Sequence, residues 1–252
     1  MMVAMRGAPM EVVFPQPGSA RPPLEGESAA ALEFACLLTS STYLGIGVPR
    51  GDGRPVLVLP GFMGNDEYLR PLRGWLQRIG YDASASGIVF NVGTPSALIG
   101  QVLRRAEFVA GRSGSRLTII GHSLGGIFAR AVAVMRPDLV SHAITLGSPL
   151  SGDPRAAAHP LVASLGNVLM TERGGMRAND ALEAALLDVA LPSNVEITCL
   201  YSRNDAVVDW RACVDGDPRA QAIEVRGTHC GLVWNREVYQ KLAVLLASTP
   251  RG

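Results

Sequence analysis

The pentapeptide Gly121-His122-Ser123-Leu124-Gly125 contains the residue of this chain best placed for nucleophilic chemistry. It follows the apolar run at 117–120 and precedes an apolar helical pattern at 127–134. A serine between a strand and a helix lies on a sharp turn, and Gly121 and Gly125 let the backbone fold back there without a side-chain clash. The motif predicts that Ser123 presents its hydroxyl group to a substrate.

A serine hydroxyl attacks efficiently only when a base takes its proton, and that base is normally a histidine oriented by a carboxylate. His229 lies in a glycine-flanked loop after the last predicted strand, and Asp205 lies in the turn after the strand before it. Asp209 is an alternative acid, but Asp205 is preferred because it follows its strand directly. The order along the chain predicts a catalytic triad of Ser123, Asp205 and His229.

The other histidines are interpreted as structural. His122 is expected to pack beside the serine or to point away from the chemistry. His142 begins a strand, and His159 lies in a segment that interrupts the regular pattern.

Attack on a carbonyl group creates an oxyanion that N–H donors must stabilise. The backbone N–H of Leu124, directly after the nucleophile, is the first predicted donor. The second should come from the loop 60–64, where glycines let N–H groups turn inward, and Phe62 N–H is the preferred donor. The alternative is that 60–64 is only a glycine turn.

Short apolar runs alternate with helical patterns from residue 55 onward. This alternation predicts an α/β fold with a mostly parallel central sheet and helices on both faces. The predicted strands are 56–59, 83–90, 116–120, 142–146, 195–201 and 222–225, and the predicted helices are 67–79, 94–111, 124–135 and 235–247, with Thr94 as a cap.

The segment 150–194 interrupts this alternation and contains helical pieces of its own at 161–170 and 180–189. Insertions at the carboxyl end of a parallel sheet lie over ligand sites, so the segment is predicted to be a helical cap, with a helical excursion away from the site as the alternative. Its apolar residues could line an acyl pocket or belong to the core. Residues 1–50 are predicted to be an N-terminal arm and helix, with 1–28 an arm or poorly ordered tail, and 51–252 the main domain.

The chain of 252 residues has 18% charged residues and a net charge of +1. This composition is typical of a globular protein and gives no electrostatic reason to expect nucleic-acid binding. There is no apolar run long enough for a transmembrane segment and no signal-peptide pattern, so a cytoplasmic protein is expected.

The four cysteines form no C-x-x-C pair and no Cys/His cluster, so no metal site is predicted. Two interpretations remain open. The cysteines are buried free thiols in a reducing compartment, or Cys213 and Cys230 form a disulfide that joins the acid loop to the histidine loop.

Several segments resemble the α/β-hydrolase superfamily, and within it the bacterial lipase/esterase branch. They are the oxyanion segment 57–64, the G-H-S-x-G-G elbow at 121–126, the G-[ST]-P at 147–149, the acid loop 205–208 and the histidine loop 229–232. The resemblance covers about residues 55–248 and implies the α/β-hydrolase fold. Pro60 stands where many relatives have histidine, and Ala206 where glycine is frequent.

Together these observations predict a serine carboxylic-ester hydrolase that forms an acyl-enzyme and requires no metal or organic cofactor. The expected substrate is a small-molecule or lipid-like ester. One alternative is an acyltransferase that uses the same triad, and another is a non-catalytic binding protein with this fold.

Overall fold

A computed structural model describes residues 22–152, 154–169 and 189–249 of the chain. The fold is built around a six-stranded sheet in the order β2-β1-β3-β4-β5-β6, in which every pair of neighbouring strands is parallel. The strands are β1 Pro55–Leu59, β2 Asp82–Ala85, β3 Leu117–His122, β4 Val140–Leu146, β5 Glu196–Tyr201 and β6 Gln221–Glu224. The predicted parallel sheet is confirmed.

Seven α-helices surround the sheet within the described residues. They are α1 Ala30–Leu38, α2 Arg70–Arg78, α3 Pro95–Ser113, α4 Leu124–Met135, α5 Pro154–Ala157, α6 Pro160–Leu169 and α7 Arg236–Ser248. Short 3₁₀ helices occupy Leu24–Ala29, Trp210–Cys213 and Cys230–Trp234.

Among the described residues, the hydrophobic core has two large parts, one on each face of the sheet, and a small third part at 207–213. Successive residues of β1 belong to different parts of the core, since Leu57 packs with Phe128 of α4 whereas Val58 packs with Trp75 of α2. This alternation is expected because successive side chains of a strand point to opposite faces. The helices therefore cover both faces, as predicted.

The carboxyl ends of the strands meet at one edge of the sheet. In the β3–β4 register Gly121 pairs with Thr145 and His122 with Leu146, and Leu146 pairs in turn with Leu200 of β5. The loops that follow β1, β3, β5 and β6 all leave from this edge, so the sheet itself brings the predicted site residues together.

The prediction of a strand over 83–90 is wrong beyond residue 85, because β2 ends at Ala85. The Asp66 carboxylate accepts hydrogen bonds from the backbone N–H groups of Ser86 (3.0 Å) and Gly87 (2.8 Å), which turns the chain out of the sheet. Val89 is consequently 86% exposed. A polar partner twenty residues upstream therefore ends a strand that its own apolar residues would have extended.

Two helix starts follow local capping chemistry. The Thr94 hydroxyl accepts a hydrogen bond from Ala97 N–H (3.4 Å) at the start of α3, as its predicted role as a cap requires. Asn235 Oδ1 does the same for Glu237 N–H (2.8 Å) before α7. By contrast, α2 begins at Arg70 and not at 67, because Asn65 Oδ1 accepts from Glu67 and Tyr68 N–H in a preceding turn.

The predicted helix 180–189 falls almost wholly on 170–188, outside the described residues, as does most of the predicted arm 1–28. The exception in the arm is Leu24–Ala29, which forms an ordered 3₁₀ helix and not a loose tail. Across the described ranges, no helix combines the length and the apolar character needed to cross a membrane.

Candidate active site

Ser123 lies on a strained turn between β3 and α4. Its backbone has φ 53° and ψ −122°, a conformation that costs a non-glycine residue on the order of 1–3 kcal/mol. Its N–H donates to Leu146 O on β4 (2.9 Å), and its carbonyl accepts from Gly126 N–H (2.9 Å). This is the geometry of a nucleophile elbow, which the sequence motif predicts.

The glycines of the elbow are required by space. A Cβ atom on Gly125 would lie 2.6 Å from the carbonyl oxygens of Leu59 and Pro60, and one on Gly121 would overlap Gly125 O. A Cβ atom on Gly126 would overlap the Ser148 hydroxyl. Because these neighbours are mostly backbone, they cannot yield, and α4 can pack this closely on β1 and β3 only with glycine there.

Asp205 and His229 are hydrogen-bonded to each other. Asp205 Oδ2 lies 2.7 Å from His229 Nδ1, and both residues are buried. Asp205 Oδ1 accepts from the N–H groups of Val207 (2.9 Å) and Val208 (2.7 Å). A carboxylate at Nδ1 fixes the proton there, which leaves Nε2 free to act as a base.

The charge of His229 depends on opposing effects. Burial by itself lowers its pKa, but the charge and hydrogen bond of Asp205, with a further contribution from Glu27, outweigh burial, so the pKa is raised above its usual value of 6.5. The Asp205–His229 pair therefore favours the imidazolium that a general base becomes.

Asp209, the alternative acid, has a different role. Its Oδ1 accepts from Arg211 N–H (3.0 Å) as the cap of the 3₁₀ helix Trp210–Cys213, and its carboxylate pairs with the Arg211 guanidinium (3.2 Å). Of the two candidate carboxylates, it is Asp205 that reaches His229.

The loop after β1 is held in shape by Asn91, a residue with no predicted role. Asn91 Nδ2 donates to Pro60 O (2.8 Å), Asn91 N–H donates to Gly64 O (2.8 Å), and Met63 N–H donates to Asn91 O (3.0 Å). Met63 has φ 57°, so the loop stores strain between these bonds. Asn91 is fully buried and supports the loop that carries Phe62 through these three hydrogen bonds.

His122 packs beside the serine, as expected, but it also contacts the candidate base. Its ring centroid lies 4.9 Å from that of His229, and its Nε2 lies 3.0 Å from the carbonyl oxygen of His229. Burial and the neighbouring His229 lower the pKa of His122 to about 3, so the ring is neutral at ordinary pH.

Tyr68 completes a hydrogen-bonded chain through His122. The Tyr68 hydroxyl accepts from Gly61 N–H (2.7 Å) and lies 3.0 Å from His122 Nδ1. Since the carbonyl oxygen of His229 can only accept, the His122 proton is on Nε2, and Nδ1 accepts from the Tyr68 hydroxyl. The loop 60–64, the turn at Ser123 and the histidine loop are thus connected, although position 60 has no histidine.

Two cavities meet at Ser123. One, of about 110 Å³, extends past Leu124 and Ile127 to Pro149 and has a mainly apolar lining. The other, of about 380 Å³, extends past His229 to Trp234. Of the residues that the structure describes, Phe62, Val162 and Val207 also border both cavities.

The described part of the predicted cap lies against the acid loop. Ala158 pairs with Val208 in an isolated antiparallel bridge, and His159 N–H donates to Val207 O (2.6 Å). Of the apolar residues on α6, Val162 borders both cavities and Leu165 borders the second, whereas Leu161 is 60% exposed. Val168, Leu169 and Met170 have no described side chains.

The possible disulfide between Cys213 and Cys230 is absent, because all four cysteines are free thiols. Cys213 is buried and its thiol donates to Asp209 O (3.6 Å), whereas Cys230 is exposed at the second cavity. The expectation that all the thiols are buried is also wrong, since Cys36 is exposed. Among the described residues, no His/Cys/Asp/Glu group is arranged to hold a metal ion.

A comparison with known protein families gives a match to the middle of the chain. The family described as PGAP1-like alpha/beta domain matches residues 99–202, which include Ser123 but end before Asp205. Triacylglycerol lipases of Pseudarthrobacter phenanthrenivorans and Burkholderia plantarii are each 28% identical to the chain over 173 residues. These alignments cover 60% of this chain and 53% and 47% of the two lipases, so the chain spans about half the length of the curated relatives it matches.

Solved structures share the fold at low sequence identity. The mature Bacillus licheniformis lipase BlEst2 matches with a TM-score of 0.58 and 16% identity, over 79% of this chain and 94% of that one. Aspergillus fumigatus lipase B matches with a TM-score of 0.60 and 16% identity, over 82% of this chain and 55% of that one.

The parallel sheet, the strained serine turn and these structural neighbours define an α/β-hydrolase fold. Within this fold, the sequence of the chain is similar to the PGAP1-like alpha/beta domain and to triacylglycerol lipases.

Proposed function

We propose that this protein is a serine carboxylic-ester hydrolase. The observation that carries the proposal is the 2.7 Å Asp205–His229 hydrogen bond beside a cavity that both His229 and the strained Ser123 border. A histidine oriented by a buried carboxylate has its second nitrogen free to accept the proton of a serine hydroxyl.

In the proposed mechanism Ser123 Oγ attacks the ester carbonyl while His229 Nε2 takes its proton. The carbonyl oxygen becomes an oxyanion, which the N–H groups of Leu124 and Phe62 stabilise. Leu124 is the first residue of α4, so its N–H has no partner within the helix. His229 then protonates the departing alcohol, and water activated by the same imidazole releases the acid from Ser123.

The two cavities suggest how an ester is oriented. The departing oxygen must receive its proton from His229, so the alcohol belongs in the cavity that His229 borders. The acyl chain then lies in the other cavity, against Leu124 and Ile127. The linings of both cavities are mainly apolar, which fits an ester of an aliphatic acid, and the similarity to triacylglycerol lipases points to lipid-like esters.

Turnover of p-nitrophenyl esters of increasing acyl length, by the wild type and by Ser123→Ala, tests the proposal. We expect the wild type to hydrolyse the esters and the variant to lose activity while keeping its circular dichroism spectrum. Because the variant retains both cavities, it should still bind a non-hydrolysable ester analogue. Undiminished hydrolysis by folded Ser123→Ala would refute the proposed function.

A further inference from the structure

Glu27 lies next to the proposed catalytic pair although it precedes the first strand by almost thirty residues. It belongs to the 3₁₀ helix Leu24–Ala29, outside the family match at 99–202. Its half-buried carboxylate accepts three backbone hydrogen bonds, from Ala206 (3.1 Å), His229 (3.0 Å) and Cys230 (2.9 Å).

These contacts connect the two loops that carry the acid and the base. Ala206 directly follows Asp205, and its N–H donates to the same Oε1 atom that accepts from His229 N–H. Oε2 accepts from Cys230 N–H at the start of the 3₁₀ helix that follows His229. One carboxylate oxygen therefore fixes the acid loop relative to the histidine loop, through charge-assisted hydrogen bonds stronger than neutral ones.

We propose that Glu27 is a positioning residue for the Asp205–His229 pair, holding the two loops together and adding a second negative charge beside the base. The inference rests on the proposed function of that pair. Glu27 acts through the backbone of its neighbours, and the reacting atoms belong to Ser123 and His229.

The negative charge of Glu27 acts on His229 together with the other groups around that ring. Asp205 faces its Nδ1, and the neutral ring of His122 packs against it from β3. Cys230 is the next residue in the chain. Burial, and to a smaller extent the charges of Glu27 and Asp205, raise the pKa of its thiol to about 11, so the thiol is neutral. Glu33 of α1 faces the loop from another side, where it accepts from Thr228 N–H (2.8 Å). Tyr68 is also neutral because burial raises its pKa.

If Glu27 only holds the two loops in place, loss of its charge should leave the pKa of His229 unchanged. If its charge acts on the base, the pKa of His229 should fall. Glu27→Gln keeps an oxygen for Ala206 and His229 N–H and removes the charge, at the loss of the one hydrogen bond from Cys230 N–H, which the amide nitrogen cannot accept. Glu25→Gln is the matched control, since Glu25 is an exposed carboxylate on the same 3₁₀ helix. The pKa of His229 should therefore fall in the first variant and stay unchanged in the second.

The measurement is an NMR titration of the histidine ring resonances in the full chain, with the pH profile of kcat/KM recorded in parallel. We expect Glu27→Gln to lower the pKa of His229 by about half a unit or more and to move the acid limb of the profile by the same amount. A shift no larger than that of Glu25→Gln would overturn the proposal. The titration does not require turnover, so it decides on Glu27 even if the wild type hydrolyses no ester and the proposed function fails.

Glu27→Ala gives a second test. Loss of the carboxylate should reduce kcat roughly tenfold to a hundredfold, because the two loops are no longer fixed. Added formate, which can occupy the vacated space, should restore part of the activity, whereas neutral formamide should not. Equal rescue by both compounds, or an undiminished kcat in Glu27→Ala, would contradict a charged positioning residue.

Discussion

Asp205 Oδ2 lies 2.7 Å from His229 Nδ1, while the other oxygen of the same carboxylate accepts the N–H groups of Val207 and Val208. The carboxylate is thus fixed on both sides and buried before any substrate arrives. In the proposed mechanism its orientation need not be created during the reaction, which favours His229 as the general base.

Replacing Asp205 should abolish most of the activity without unfolding the protein. Asp205→Asn can still occupy the site, but its amide cannot stabilise the imidazolium, so we expect kcat to fall about 10³–10⁴-fold. Asp209→Asn is the control, because Asp209 caps a 3₁₀ helix and pairs with Arg211. Steady-state kinetics of both variants distinguish the two carboxylates, and a larger loss in Asp209→Asn would reverse the assignment.

The acid limb of activity should report His229. Only the neutral imidazole can accept the proton of Ser123, and the net effect of its surroundings raises the pKa of His229 above 6.5. Activity should therefore be lost as the pH falls through an apparent pKa higher than 6.5. The profile of kcat/KM for a p-nitrophenyl ester measures it. His122 should not contribute, since burial lowers its pKa to about 3. An acid limb at or below the ordinary histidine value would contradict the electrostatic account.

Removing the Tyr68 hydroxyl should slow the reaction without blocking binding. Tyr68→Phe leaves Gly61 N–H and His122 Nδ1 without their shared partner, at a cost of about 1–3 kcal/mol in the free energy of unfolding. Because these groups lie beside Phe62 and Ser123, we expect kcat to fall about tenfold with little change in KM. Tyr43→Phe is the control, because Tyr43 packs against the same part of the core as Tyr68 but does so beside Tyr239. Equal kinetic effects of the two variants would remove Tyr68 from the site.

Filling the first cavity should change the preference for acyl length. Ile127 is buried and borders that cavity, so Ile127→Trp should reduce hydrolysis of long acyl chains much more than that of acetyl esters. Leu161→Trp adds the same side chain at a mostly exposed position on α6 and should leave the profile unchanged. The ratio of kcat/KM for octanoyl and acetyl esters measures the effect, and an unaltered ratio in Ile127→Trp would place the acyl chain elsewhere.

The parts of the site that were predictable from the sequence depend on local chemistry. Gly121, which must leave room for Gly125 O, and the cap at Thr94 act on residues within a few positions, so the pattern alone indicates them. Gly125 is recognisable from the same motif, although the atoms that exclude a side chain there belong to Leu59 and Pro60. The order of the strands then brings Asp205 and His229 to one edge, because parallel strands end together.

The parts that were missed depend on partners far away in the chain. Glu27 is about 200 residues from His229, and its segment has no periodicity or motif that indicates a contact. Asp66 ends β2 from twenty residues upstream, against the apolar pattern of the strand itself. Asn91 lies between the predicted strand 83–90 and the predicted helix 94–111, and nothing local shows that its amide supports Pro60 O. Side-chain-to-backbone bonds of this kind are specified by the fold and not by neighbouring residues.

The most direct test of the account is to identify the residue that becomes covalently modified. The wild type and the variants Ser123→Ala and His229→Asn are treated with a fluorophosphonate, and intact mass and peptide mapping locate the adduct. We predict a single adduct on Ser123 in the wild type, none in Ser123→Ala, and strongly slowed labelling in His229→Asn. Labelling of another residue, or labelling of Ser123 at an unchanged rate without His229, would contradict the claim that His229 activates Ser123 for attack.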